Sequence, residues 1–389
     1  MNIKKYSKVI FSVSQKVILI IFCGLYLSSQ IYAQPGRLDL NFQNVLAPGA
    51  EVRTIETQPD GKILVAGKVT TRGTVSRREV ARLNADGSLD PTFNIVSTSG
   101  GSEFGIFFIK LQADGKILVG GNFNNINGIF RSAIARLNTD GSVDTTFELS
   151  GINITFIHDL DLQTDGKILV SASNLGGSSF VTRLRTDGTN DPGFGQVLTY
   201  TRSDAKVAFL PTENKILLGD YTPGFDQRSL KRLNLDGTID TTFSVANVTT
   251  STSNLYIRPL ANGKILLWGR FDTVNQTTRR NIAILNNDGS LDTSFNPATG
   301  GTGTILSVAV QTNGKIIIGG NTFTSNTFVR GNVARLNADG SVDTTFNQGR
   351  GANADVRALK IRNNNKLLIG GTFFRYHTFP RSGLAQINL

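Results

Sequence analysis

The sequence predicts an all-β protein: a seven-bladed β-propeller of four-stranded antiparallel blades, closed by the N-terminal strand completing the last blade. Three observations predict it. One string recurs seven times, each copy reads as short strands separated by hairpin turns, and the two chain ends carry complementary halves of one copy.

The recurrence comes first. D-G-K-I-L-V and its drifted forms place lysines at positions 62, 116, 167, 215, 264, 315 and 366, in steps of 54, 51, 48, 49, 51 and 51. A second string, R-L-N-x-D-G-S-x-D-x-x-F, ends at Phe93, Phe147, Phe194, Phe243, Phe295 and Phe346. Each copy reads as four strands. Strand a is apolar-rich (residues 305–310, for example), and strand b is the K-I-L-V-G-G run. Strand c is A-R-L-N, and strand d is the short x-D-x-x-F segment. Asp-Gly or Asn-Gly between a and b, and Asp-Gly between c and d, are strong hairpin signals. Where the a–b glycine is lost, asparagine replaces it (Asn214, Asn365), a residue that tolerates positive φ. The b runs are apolar at consecutive positions, so both faces should be buried.

Closure follows from the split copy. Residues 36–42 hold only the tail of the second string, and residues 384–389 hold only its head. Pairing the two in one sheet would remove two free edges, whereas a linear array would need polar caps.

The best copies, residues 112–147 and 311–346, resemble the delta-60 repeat family of bacterial propellers, and the resemblance runs from about residue 36 to 389. It implies a propeller fold and export, and no common activity or ligand. Glycine pairs such as Gly120-Gly121 are similar to kelch blades, but the Tyr and Trp that follow in kelch are missing, as is the WD40 signature.

Residues 1–33 read as a secretory signal peptide. Lys4, Lys5, Lys8 and Lys16 precede an eleven-residue apolar run, residues 17–27, and cleavage is expected near Ala33. That run is too short for a membrane span, which needs about 20 residues. The domain proper is then residues 34–389, one propeller, secreted or extracytoplasmic. It would contain no cysteine, since Cys23 lies in the leader, so packing and closure rather than disulfides must stabilise it.

Composition narrows the chemistry. Hydrophobic residues at 39% and charged residues at 18% exclude a disordered chain. Two histidines, one cysteine, one methionine and one tryptophan exclude most zinc, haem and thiol chemistry. His158-Asp159 is the one His-Asp adjacency, and strand neighbours point to opposite faces, so it predicts no relay. No HExxH, G-x-S-x-G or phosphate loop is present. The string beginning Asn84-x-Asp86-Gly87-Ser88-x-Asp90 offers alternating oxygens as a calcium loop does, yet an Asx turn predicts the same residues. No cofactor is therefore expected. Without the four leader lysines the net charge falls from +11 to +7, its basic residues are spread over every blade, and export argues against nucleic acid.

Two candidate sites emerge. The b–c loops and d–a connectors vary, and function is more often carried by loops. There the non-recurring Tyr221, Phe225, Asp226, Tyr376, His377 and Phe379 suit a glycan or protein surface or equally a structural role, while the recurring Phe123, Phe271, Phe323 and Phe373 read first as plugs between blades. Strand a borders the central channel. Its non-apolar positions carry Arg53, Lys110, His158, Lys206, Arg258, Arg357 and Lys360 against Glu56 and Asp161, a basic excess that would attract an anion if the side chains are not simply solvated. The expectation is a secreted, non-catalytic, monomeric binding propeller for a glycan or a cell-envelope or matrix partner. The alternative is a hydrolase or lyase acting on an anionic polysaccharide through the channel.

Overall fold

The computed structural model describes residues 34–72, 79–94, 96–100, 105–198, 204–222, 227–244, 246–249, 255–297, 303–321, 323–325, 328–346 and 350–389. The leader expected over residues 1–33 lies outside them. All regular structure among the described residues is β, and no helix there is long and apolar enough to cross a membrane.

The chain builds propeller-like antiparallel meanders. Each runs a–b–c, as in Glu51–Thr57, Ile63–Lys68 and Val80–Leu83, or Gly105–Leu111, Ile117–Asn122 and Ile134–Leu137. The last is Val356–Arg362, Lys366–Gly371 and Leu384–Asn388. The units are separate sheets, except where connector strands join the fourth and fifth. Strand b is buried along its length, as its unbroken apolar run requires: Ile63, Leu64, Val65 and Ala66 have no exposure.

The a–b turn is not the two-residue form that Asp-Gly first suggests. Gly61 N donates to Gln58 O (2.9 Å) and Gln58 N to Lys62 O (2.9 Å), with Gly61 at φ +84°. That is a three-residue loop ending in a left-handed bulge. Asn214 (φ +55°) and Asn365 (φ +57°) take the glycine's place in the left-handed region, which explains the drift.

The expected strand d is not a regular strand. It touches strand c through a single bridge, Leu83 to Leu89 in the first unit and Leu137 to Val143 in the second. Asp90 then turns the chain, its Oδ1 accepting from Thr92 N (2.9 Å) and Thr92 Oγ1 (2.7 Å). The aspartate that marks the segment is thus the residue that breaks it. Most blades are three strands plus a bridged turn, while in the third and fourth units a later segment, Val197–Leu198 or Ala246–Thr249, pairs with strand c as a fourth strand.

Packing runs between units. A Cβ on Gly120 of strand b would lie 2.7 Å from Leu160 of the next unit's strand a, so glycine permits the close approach. Polar staples reinforce it. Arg136 Nε donates to Asp144 Oδ2 (2.7 Å), Nη1 reaches Thr186 O of the next unit (2.6 Å), and the guanidinium lies over Phe147 at 5.0 Å. Lys116 Nζ shares the same carboxylate at 2.8 Å. Arg82, Arg183 and Arg232 repeat the staple to Thr139 O, Leu235 O and Asn287 O. A buried pair of this kind costs about 3–5 kcal/mol to break from one side.

The chain's beginning meets its end in the same way. Leu38 bridges Ile387, Asp39 N donates to Gln386 O (2.8 Å), and Lys366 Nζ lies 3.1 Å from Asp39 Oδ2. Gln386 stands where five of the other units have arginine and one has Ile284. Its Nε2 donates to Asp39 (2.9 Å), while Arg362 supplies the missing guanidinium, donating to Ala85 O (2.7 Å), the turn carbonyl equivalent to Thr139 O. Gly370 repeats the glycine contact, with Val52 Cγ1 2.6 Å from where its Cβ would be.

Candidate functional site

The loop face is built from repeated hairpins. Asn125–Ile126 pairs with Ile129–Phe130, Thr273–Val274 with Thr277–Thr278, and Arg375–Tyr376 with Phe379–Pro380. In each, the residue three after a buried phenylalanine points into the core: Ile126, Val274 and Tyr376 have no exposure. Each also bridges back to a connector of the preceding unit, at Thr98, Val248 and Ala352.

Tyr376 therefore does recur, as an apolar plug, and presents no face to a ligand. Its hydroxyl donates to Gly36 O at 2.7 Å, and burial pushes its pKa up. His377 (φ +51°) occupies the left-handed turn position of Asn127 and Asn275, and burial lowers its pKa. Phe379 is 40% exposed, as are Phe130 (69%) and Phe374 (59%) to greater degrees. His377 and Phe379 share a 400 Å³ pocket with Arg37, Leu40 and Arg350. Phe123, Phe271 and Phe373 are buried plugs. Tyr221 lies in Lys215–Thr222, while Phe225 and Asp226 lie outside the described residues.

The second site is a cavity of about 620 Å³ at the strand-a ends that carry the a–b turns. One residue from every a strand, two before the start of its turn, lines it. Lys110 and Asp161 form one pair across adjacent units (2.9 Å), and Lys360 and Glu56 form another between the last unit and the first. Phe209, Arg258 and Ala309 complete the register. With Asp159 added, the walls carry three acids and three bases. The basic excess read from the sequence is not what faces this cavity.

The difference has a physical cause. Strand a bulges at Arg53, His158 and Arg357, and those residues do not line the cavity. Arg53 Nε instead donates to Glu51 (2.9 Å) and its guanidinium lies over Phe107. Arg357 also pairs with Glu51. His158 packs on Phe156, and burial, helped by the charge of Lys206, pushes its pKa down to about 4, so it is neutral at pH 7. Lys206 donates to His158 O at 2.8 Å and lies over Tyr256. Of the seven sequence-predicted channel residues, Lys110, Arg258 and Lys360 reach the cavity.

Asp159, Tyr256 and Trp268 also line the wall, although the sequence does not mark them as channel residues. Asp159 accepts from Val207 N (3.0 Å), and burial raises its pKa against the opposing pull of Lys206 and Lys110. Tyr256 stacks on Trp268 (5.5 Å, 14°), with burial pushing its phenol up to about 12. Asp159 and His158 do not form a relay. The Asx-turn string is likewise internally satisfied: Asp86 Oδ1 accepts from Ser88 N (2.9 Å) and Ser88 Oγ (2.7 Å).

Comparison with known proteins places this geometry. The model of the domain of unknown function (DUF5122) β-propeller matches residues 58–93, 112–147, 163–194, 214–243, 260–295 and 311–346, just over half of the chain. No curated protein matches. Among solved structures, the extracellular domain of a hybrid two component system protein from B. thetaiotaomicron superposes with a TM-score of 0.53 at 12% identity. The match covers 91% of this chain and 41% of that one. PorZ, a surface component of the type-IX secretion system of Porphyromonas gingivalis, gives 0.54 at 13% identity, over 90% and 48%. A catalytically inactive virginiamycin B lyase from Staphylococcus aureus, with quinupristin, gives 0.51 at 12% identity, over 89% and 98%. The chain thus spans less than half the length of the first two. At these identities the likeness is one of fold.

Proposed function

The chain belongs to the DUF5122 β-propeller family, and on that footing we propose that it is a secreted, non-catalytic binding propeller that recognises a glycan or cell-envelope partner. The ring would have seven blades and close where residues 36–42 complete the last one. Support for closure comes from the Leu38–Ile387 bridge, the Arg362–Ala85 staple and the Gly370–Val52 contact, each a copy of an internal one. The lysine-rich leader over residues 1–33 supports export, as do the extracellular and surface settings of two similar structures.

The observation that carries the binding reading is the shared cavity. Side chains from every unit converge on it, and its volume of about 620 Å³ falls within the range of small-ligand sites. Its ion pairs fix the walls in place. The loop face, with Phe130, Phe374 and Phe379 exposed, offers a broader surface for a macromolecule.

A second reading, a hydrolase or lyase on an anionic polysaccharide, is favoured by Asp159, a carboxyl in the cavity wall whose raised proton affinity suits acid–base chemistry. The deciding experiment incubates purified protein with a panel of neutral and acidic polysaccharides and follows both binding and chain length. Binding with no shortening is the expected result. Shortening by wild-type protein that is abolished in Asp159→Asn would replace the binding reading with the enzymatic one.

A further inference from the structure

Charge is not distributed evenly around the cavity. At the register two residues before the turn, each charged side chain except one faces an opposite charge on a neighbouring unit. Lys110 has Asp161, and Lys360 has Glu56. Arg258 lies between Phe209 and Ala309, neither of which can neutralise it. It makes no hydrogen bond or ion pair with any described residue. Its side chain is accessible inside the cavity, while Ile257 and Pro259 on either side are half-buried.

From this pattern we propose that Arg258 is the anchor for a ligand carboxylate, and that the cavity takes a sugar acid of the hexuronate class. The proposal rests on the binding reading above and names its ligand. A planar guanidinium with five donors fits a carboxylate with two parallel hydrogen bonds. Arg258 has no direct ionic partner, but the charges of Glu56 and Asp161 reach it and the wall acids equal the wall bases in number, so the site favours a single carboxylate held by direct contact. A second would meet Glu56, Asp159 and Asp161, so a phosphate dianion or a polysulfated unit is disfavoured. Those acids serve the rest of the ligand. Glu56 Oε1 accepts nothing from a described residue, and Asp161 retains lone pairs beyond those taken by Lys110 and Phe209 N. Carboxylate oxygens are acceptors for sugar hydroxyls. Phe209, Pro259 and Val310 supply the apolar wall against which the C–H face of a pyranose can lie.

The test is calorimetric titration of the purified protein with galacturonate and with its methyl ester, repeated on Arg258→Gln, Arg258→Lys and the exposed control Arg375→Gln. Wild-type protein and Arg375→Gln should bind the acid roughly tenfold or more tightly than the ester, the loss expected when a charge-assisted pair is removed. Arg258→Gln should lose that preference with little change in melting temperature, because Arg258 makes no hydrogen bond or ion pair with a described residue. Arg258→Lys should retain part of it. Equal binding of acid and ester, unaltered binding in Arg258→Gln, or no binding at millimolar acid overturns the proposal. In a parallel screen, neutral glycans bound equally by wild type and Arg258→Gln would sink the anchor while leaving the binding reading intact. Cleavage of a glycan in that screen would sink the binding reading itself.

Discussion

Replacing Tyr376 by phenylalanine removes one hydroxyl from the junction between the chain's two ends and changes nothing else in shape. The ring is fully buried, and the hydroxyl donates to Gly36 O at 2.7 Å across 340 residues of sequence. A neutral intramolecular hydrogen bond is worth about 1 kcal/mol net, and a buried carbonyl left without a donor costs about 1–3 kcal/mol. Tyr376→Phe should therefore destabilise by roughly 1–2 kcal/mol. Tyr376→Ala also opens a cavity and should cost about 3–5 kcal/mol. Guanidinium unfolding checks both, with the midpoint falling and the slope unchanged. Ligand binding by folded Tyr376→Phe should equal that of wild type. A tyrosine whose removal left stability intact but abolished binding would refute the reasoning and return Tyr376 to the ligand site.

Further outcomes follow from the repeated contacts. Gly370→Val and Gly120→Val place a Cβ 2.6 Å from Val52 and 2.7 Å from Leu160, and overpacking should cost each about 1–3 kcal/mol. Thermal melts showing Gly120→Val destabilised and Gly370→Val unchanged would mean the last unit does not pack on the first. Burial alone would raise the Asp90, Asp144 and Asp343 carboxyls, but hydrogen bonds from threonine, arginine and lysine overcome it and hold them well below the usual carboxylate range. A folded pKa below the unfolded value of about 3.9 contributes stability above that pH and loses it as pH falls through the folded values. Melting temperature should therefore be flat from about pH 5 to 8 and fall steeply below about pH 4, with a shallower acid limb in Asp144→Asn.

Much of this architecture is legible in the sequence because identical contacts recur at a fixed period. The turn residues, the buried b strands and the arginine–aspartate pairing all read directly from the strings. The arginine of the last unit is legible only once the contact is known, since Arg362 reaches Ala85 from strand a rather than strand c. Other features escaped for identifiable reasons. Asp90 marks strand d but also turns it, and sequence alone cannot weigh those roles. The strand-a bulge shifts which side chains face inward, so Arg53 and Arg357 left the cavity and Asp159 entered it. Tyr376 is an aromatic at a core position, which its residue type does not reveal. Aligned on the preceding phenylalanine, it falls on Ile126 and Val274, and His377 falls on Asn127 and Asn275. That alignment would have placed both in the hairpin core and its turn.

The central claim is that the first segment completes the last unit. Comparing melts of protein beginning at residue 34 with protein beginning at residue 46 tests it most directly. The shorter chain loses the buried Leu38 and Phe42 together with the Asp39–Lys366 pair. Its melting temperature should drop by roughly 10 °C, the order expected for losing two large buried side chains. An undiminished melting temperature in the shorter chain would contradict the account.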